Sequence, residues 1–380
     1  MTDPASRLTG QPAPHPAPVT FQGRPLRVMQ VMAGAREGGA ETFFLGLVLA
    51  LQRAGLDQLV VIRRNPARST ALRRGGVEPV ELPFGRWVDF RTVPGLRRQA
   101  RVYRPQVVMT WMNRASGTFP RGDFLRLARL GGYYDLKHYR ACDHLIANTQ
   151  DIVEFLVARG WPRARAHYLP NFAAVGAAVG EAKPVAPARL DTPADAPLLL
   201  ALGRLNQAKA FDVLLRALTL ETRPYLWIAG DGPLRAQLQA LARELGVAGR
   251  VRFLGWRDDR DALFGAADVC VFPSRFEPYG NVTMEAWGQR TPLVAAASAG
   301  PAAYVRDGED GLLVPTDDAP ALAAAIGRVI DEPALAARLV EGGWRRYQDE
   351  FTEAACVARY LQLFQNLLAG RAGGERVDAT

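Results

Sequence analysis

The chain has 380 residues, 48% hydrophobic and 22% charged, a length and balance that suit two globular domains rather than a disordered or fibrous protein. Three widely spaced cysteines, Cys142, Cys270 and Cys356, make no CxxC pair, which argues against a disulfide framework or zinc site and fits a reducing compartment. The net charge of +9 is uneven, with 25 Lys and Arg against 12 Asp and Glu in residues 1–170, and 22 against 26 in the remainder.

A basic first half points to an anionic partner on that side, or reflects no more than an arginine-rich composition. No zinc finger, RNP-like strand or basic heptad helix is visible, so nucleic acid is disfavoured and an anionic membrane surface fits better. The longest early apolar run, 43–51, is too short to span a bilayer. No basic segment opens the chain as a secretory signal would.

Residues 1–22, rich in Pro, Ala and Thr, read as a disordered arm. A first strand at 26–32 enters the glycine-bearing loop 33–40, followed by a helix at 41–54. Strands are expected at 58–63, 77–82, 106–112, 144–148 and 166–168, with helices at 92–103 and 150–159. Segment 123–130 mixes apolar residues with arginines at helical spacing. It is expected to be an amphipathic helix that packs on its sheet or, with Tyr133, Tyr134 and Lys137, rests on an anionic membrane.

Residues 173–197 are rich in Ala, Pro and Gly and read as a linker. Strands at 198–202, 225–229, 251–254, 269–272 and 293–296 alternate with helices near 210–219 and 318–331, and 334–369 is helical by pattern. The expected fold class is therefore α/β, with two doubly wound Rossmann-like domains, 23–172 and 198–345, facing across a cleft. A C-terminal helix, 346–370, is expected to pack back toward the first. In such folds ligands meet the carboxyl ends of the strands.

Several chemical features fall at those ends. Arg204 follows a strand and Lys209 precedes the next helix; two cations there suit a diphosphate. Gly230-Asp231-Gly232-Pro233 is a tight strand-to-helix turn that admits a flat base, which Phe253 and Leu254 would line. Glu277 and Glu285, on one unbroken helix, would lie about 12 Å apart along its axis. Pro278-Tyr279-Gly280 between them instead places Glu277 on a loop and Glu285 on the following helix, with the amides of 280–282 free for an anion.

Taken singly, each feature is ordinary: solvated loop charges, a turn, a chance spacing. Their shared order at strand ends is what carries specificity. Asp259-Arg260-Asp261 has the form of a metal-binding Asp-x-Asp but opens a helical stretch, where an acidic cap is the favoured reading. His15, His138, His144 and His167 show no ligand spacing.

The strings GRLNQAKAFDVLL (203–215), IAGDGP (228–233), VRFLGW (251–256), FPSRFEPYGNVTMEAWGQRTPLVA (272–295) and DGEDGLLVPTDD (307–318) resemble the retaining glycosyltransferases of GT-B fold, family 4, or glycosyl transferases group 1. REGGAETFF (36–44) continues the likeness. VVMTWMNRAS (107–116) and RLGGYYDLKHYRACDHLIANT (129–149) look like its lipopolysaccharide-core branch. The resemblance implies transfer of a hexose from a nucleotide-diphosphate sugar to a saccharide or glycolipid acceptor in lipopolysaccharide core or other cell-envelope glycan synthesis. It implies no metal and no cofactor beyond that co-substrate, and a cytoplasmic site at the inner membrane.

Carried over, the likeness assigns the diphosphate to Arg204 and Lys209, the ribose to Glu285, and the transferred sugar with its oxocarbenium-like transition state to Glu277. Gly230, Phe253 and Leu254 would serve the base, and the amides of Tyr279, Gly280, Asn281 and Val282 the sugar and phosphate. Gly38 and Gly39 would let their loop close on the diphosphate and acceptor. The leaving phosphate would assist deprotonation of the acceptor, so the enzyme's burden is positioning and electrostatics. Two departures bear on the sugar rather than the reaction class. A usual glutamate position reads Ala303, and positions where a histidine is frequent read Trp111, Asn113 and Tyr133. Asn113 and Arg114 are candidate acceptor contacts or simply structural.

Two rival readings remain. A catalytically silent nucleotide-sugar-binding module would have had no reason to keep Arg204, Lys209, Glu277 and Glu285 together. A nicotinamide oxidoreductase needs Gly-x-Gly-x-x-Gly after the first strand, a spacing that 32–39 does not supply.

Overall fold

The computed structural model describes residues 17–35, 38–85, 89–173 and 183–372. Of the expected arm, 1–16 lie outside the described residues, and its end forms a short antiparallel hairpin of Thr20–Phe21 (β1) and Arg24–Pro25 (β2). Residues 174–182 of the expected linker also lie outside. Grouped by backbone proximity, residues up to Leu127 and from Leu363 onward form one unit, and Ala128–Gln362 the other.

One sheet contains β3 (Arg27–Met32), β4 (Asp57–Arg63), β5 (Val80–Leu82), β6 (Val107–Trp111), β7 (Leu125–Leu130), β8 (His144–Ala147) and β9 (Ala166–Tyr168). Their order is β5-β4-β3-β6-β7-β8-β9. β3 runs parallel to β4 and β6, with Val31 opposite Val61 and Thr110. The second sheet contains β10 (Leu198–Leu202), β11 (Tyr225–Ala229), β12 (Val251–Gly255), β13 (Val269–Phe272), β14 (Leu293–Ala296) and β15 (Leu312–Val314). It is parallel throughout, in the order β12-β11-β10-β13-β14-β15. In each sheet the first strand lies inside and the order reverses beside it, which creates a crevice where the loops diverge.

Uninterrupted apolar runs explain the central strands, because a parallel strand is covered on both faces. Leu198–Leu202 is buried at every position, and its side chains alternate. Leu199 and Ala201 join the core formed with helices Phe211–Leu220 and Ala319–Asp331, while Leu200 and Leu202 pack with Trp227, Phe272 and Trp287 on the other face.

Segment 123–130 corrects the sequence expectation. It contains a strand, β7, not an amphipathic helix, and all six strand residues are buried. Arg126 and Arg129 are only 4% and 3% exposed. Arg126 donates to the Ser116 carbonyl at 3.2 Å. Arg129 donates to the Tyr360 hydroxyl at 2.6 Å and to Asn171 Oδ1 at 2.5 Å. Buried guanidinium groups need such partners, and here one lies 231 residues away, out of reach of any local pattern. The six strand residues Leu125–Leu130 therefore form no exposed amphipathic face.

Further bonds tie the same region to the second sheet's loops. The Tyr279 hydroxyl donates to the Asn171 carbonyl at 2.9 Å, and Cys356 Sγ lies 3.4 Å from the Pro170 carbonyl. The last helix, Glu353–Ala372, follows a π-helical turn at Tyr347–Phe351. Near its end Gln365 donates to the Thr20 carbonyl at 3.2 Å and Arg371 pairs with Asp123 at 2.6 Å. The three cysteines are buried and unbridged. Among the described residues no helix is long and apolar enough to cross a membrane.

Candidate functional site

The crevice of the second sheet lies between β10 and β13, and the residues singled out from the sequence collect on the loops leaving these strands. After β10, Gly203 takes φ +148° and Arg204 is exposed, with no carboxylate partner among the described residues. This loop is laced to the Gly230–Pro233 turn: Gly203 N–H donates to the Ala229 carbonyl and Leu205 N–H to the Asp231 carbonyl, each at 3.0 Å. A Cβ at Gly230 would lie 1.9 Å from the Gly203 carbonyl oxygen, and one at Gly232 would lie 2.5 Å from that of Leu205. The glycines of the turn thus serve contact between two backbones, which fixes where Arg204 stands.

Asn206 caps the short 3-10 turn Gln207–Lys209. Lys209 then closes an ion pair on the Glu277 carboxylate, with the two side chains 19% and 18% exposed. The ammonium also lies 5.0 Å from the Phe272 ring centroid, in cation–π range. The other Glu277 oxygen accepts the Gly280 N–H at 3.2 Å. Arg275, which the sequence reading missed, clamps the two loops together. It pairs with Asp212 at 2.6 Å and with Asp317, while its own N–H donates to the Ala208 carbonyl at 2.9 Å.

The loop carrying Glu277 is held from behind. Gly300 N–H donates to the Glu277 carbonyl at 2.7 Å, and the Tyr304 hydroxyl donates to the carbonyls of Tyr279 and Gly280. Gly280 takes φ +86°, and a Cβ there would lie 2.9 Å from both Phe272 and Tyr304. Only glycine satisfies both demands. The helix Asn281–Gly288 follows, and the amides of Asn281 and Val282 stand at its start. Tyr279 itself is buried, its hydroxyl spent on Asn171. Ala303, on the helix Ala299–Tyr304, is exposed.

Glu285 lies on the helix, as the spacing predicts, and its carboxylate pairs with Arg260, with the charge of Lys209, Glu277's partner, also acting on it. Burial pushes the Glu285 carboxyl above the usual carboxylate range, and Arg260 opposes that shift. Arg260 opens the helix Arg260–Phe264. The flanking aspartates do not behave as expected. Asp259 occupies the cap position yet makes no capping bond, its carboxylate being held by Arg257 at 2.5 Å. Asp261 accepts from Gln289 at 2.7 Å. Among the described residues no three His, Cys, Asp or Glu side chains are grouped to hold a metal.

Phe253 and Leu254, expected to line one pocket together, are half-buried and pack against cores on opposite faces of their sheet. Adjacent strand residues cannot do otherwise.

On the first sheet, Gly38 and Gly39 begin the helix Gly39–Arg53, and residues 36–37 lie outside the described residues. The glycines wrap a buried carboxylate. Glu41, 7% exposed, accepts the Ala35 N–H at 2.7 Å, and a Cβ on Gly38 or Gly34 would come within 2.4 or 2.5 Å of its oxygens. Among the described residues nothing crowds Gly39. Asn113 and Arg114 follow β6 on the helix Met112–Thr118, where Arg114 donates to the Phe84 carbonyl at 3.2 Å. Trp111 is buried and donates to Gln30 Oε1 at 3.1 Å.

Two histidines without ligand spacing in the sequence meet in space. His167 Nε2 lies 3.0 Å from His144 Nδ1 across β8 and β9. Burial, then the neighbouring His167 and Arg165, push His144 down to about 4.

Comparison with known proteins identifies the family of the chain. Residues 196–332 match the family model of glycosyl transferases group 1, and 37–175 that of glycosyltransferase family 4. The lipopolysaccharide core biosynthesis glycosyltransferase LpsE of Rhizobium meliloti (strain 1021) is 39% identical over 342 residues, covering 86% of this chain and 96% of that one. A glycosyltransferase structure from Rickettsia africae ESF-5 superposes with TM-score 0.78 at 17% identity, over 90% of this chain and 98% of that one. Anabaena Alr3699/HepE in complex with UDP and glucose superposes with TM-score 0.72 at 18% identity, over 90% of this chain and all of that one. With both halves matched by family models and a relative aligned over nearly its full length, the chain belongs to the family 4, group 1 glycosyltransferases and has their GT-B fold.

Proposed function

We propose that this glycosyltransferase moves a hexose, with retention of anomeric configuration, from a nucleotide-diphosphate sugar to a lipopolysaccharide-core saccharide. The observation that carries the reading is the Lys209–Glu277 pair at the sheet's switch point, with Arg204 on the adjoining loop lacking a carboxylate partner among the described residues. In this reading the diphosphate takes Arg204 and draws Lys209 partly away from Glu277. A cation that neutralises leaving oxygens and a carboxylate beside the sugar together stabilise charge separation at the anomeric carbon. The amides of Asn281 and Val282 at the helix start add donors for the sugar or phosphate.

Glu285, whose carboxylate is paired with Arg260, accepts from the ribose hydroxyls. The two cations supply the positive charge that a divalent ion provides elsewhere, so the reaction is metal-independent. The leaving phosphate takes the acceptor's proton, and no protein nucleophile is required. The likeness to LpsE, a lipopolysaccharide core biosynthesis glycosyltransferase, supports a lipopolysaccharide-core acceptor, and the HepE complex supports UDP as the nucleotide. Such an acceptor places the enzyme at a membrane face where nucleotide-sugars are available.

The test is incubation with UDP-, GDP- and ADP-hexoses and a truncated core oligosaccharide, with and without EDTA. Proton NMR of the new linkage reads the anomeric outcome. Retained configuration with EDTA-insensitive turnover is expected. Inversion, or transfer abolished by EDTA and restored by a divalent ion, would refute the mechanism.

A further inference from the structure

We propose that the first unit carries a second binding site, for an anionic amphiphile, at the amino edge of its sheet. A cavity of about 860 Å³ opens there. Pro105 and Gln106, which enter β6, and Asp123 and Phe124, which enter β7, form part of its wall. In a parallel sheet this edge is opposite the carboxyl ends, so the cavity is separate from the loops that follow β3 and β6.

Its lining has two characters. Phe21, Phe124 and Leu368 give it an apolar floor. Gly122 exists to fit that floor, because a Cβ there would lie 2.2 Å from the Phe124 ring. Around it stand the arginines 97, 101, 104, 121 and 371. Arg371 is matched by Asp123 at 2.6 Å. Arg97, Arg101, Arg104 and Arg121 have no carboxylate partner among the described residues.

Two further observations indicate that this charge is arranged. Arg97 and Arg101 are four apart on the helix Thr92–Tyr103, so both project on one side. Arg104 caps that helix in the left-handed region, φ +51°, where glycine is the unstrained choice. A strained arginine turned toward a cationic rim adds charge where it is already repelled, which calls for an anion. The volume is that of a small-ligand pocket, and apolar walls beneath several guanidinium groups match a phosphate or carboxylate head joined to a hydrocarbon chain. The uneven basic charge of the first half thereby acquires a location.

The probe is dihexanoylphosphatidylglycerol below its micelle concentration, titrated by calorimetry into the full chain at low salt. Dihexanoylphosphatidylcholine and inorganic phosphate are the controls. The glycerol lipid is expected to bind at least about tenfold more tightly than either control, weakening with salt. The exposed double variant Arg97→Ser/Arg101→Ser is expected to lose at least about tenfold while retaining donor turnover. Vesicles of phosphatidylglycerol that sediment the wild type but not the variant would identify a bilayer as the source of the head group. Sedimentation of neither, with monomer binding intact, would identify a free amphiphile.

Equal affinity for phosphatidylcholine would overturn the proposal in favour of a plain apolar groove, and equal affinity for phosphate in favour of a simple anion site. The chain continues beyond Ala372 with Glu375 and Asp378. Lipid binding only after deletion of 373–380 would overturn it in favour of the chain's own end as occupant.

Discussion

Lys209 and Glu277, 68 positions apart, neutralise each other on two loops that Arg275 binds together. The pair is incompletely buried, so each charge retains some water, and the Gly280 amide shares the carboxylate. Lys209→Met removes the cation without removing the stem. Transfer is expected to fall by about 10²–10³-fold in kcat/KM, as for other lost transition-state donors. Urea unfolding should change by less than about 2 kcal/mol, since Glu277 remains hydrated. Steady-state kinetics with a chemical-denaturation control reads both.

Arg260 is a positioning residue for Glu285. With Arg260→Ala the buried carboxyl loses the group that opposes its upward shift, so its protonated fraction grows as pH falls. Donor affinity is expected to weaken about tenfold at pH 6 and less at pH 8, and Arg260→Lys is expected to restore part of it. A pH-independent loss, measured by calorimetry with the nucleotide diphosphate, would reject this role.

Much of the second sheet was legible because its chemistry is contiguous. Strand, glycine turn and cation follow one another within a few residues, and Pro278 to Gly280 already separates a loop glutamate from a helical one. What escaped is what depends on distant partners. Arg260 lies 25 positions from Glu285, and Arg275 lies 63 from Asp212. The same limit misplaced β7. Local periodicity cannot tell an arginine in water from Arg129, whose partners are Asn171 and Tyr360. Asp259 was expected to cap, but a nearer guanidinium competes better than the helix amides.

Arg129 therefore makes a stability prediction. Arg129→Ala removes the donor that serves the Asn171 amide oxygen and the Tyr360 hydroxyl in a buried site, at a cost of about 3 kcal/mol in equilibrium unfolding. A cost below about 1 kcal/mol, as for a surface arginine, would restore the exposed-helix reading.

Gly230→Ala tests the backbone lacing. Its φ of +150° is strained for alanine, and the added Cβ meets the Gly203 carbonyl, so the Arg204 loop must move. A loss of about 3 kcal/mol or more is expected, together with weaker nucleotide binding. Gly39→Ala, in open space, is the matched control in the first sheet.

The His144–His167 pair predicts an acid-side loss of stability. His144 in the folded chain is pushed down to about 4 from its ordinary value of 6.5. Above about pH 6.5 both states are neutral and the full stability is present. As pH falls toward 4 the unfolded chain takes up a proton that the folded chain refuses, and stability declines by roughly 2 kcal/mol after allowing for partial exposure. His144→Gln should flatten that part of the stability profile measured by denaturant titration at each pH.

The most direct test is Glu277→Gln, assayed for both donor binding and transfer. Donor affinity within a few-fold of wild type, with kcat for transfer reduced by at least about 100-fold, is the predicted result. Near-normal transfer with intact donor binding would remove Glu277 from the chemistry and contradict the site.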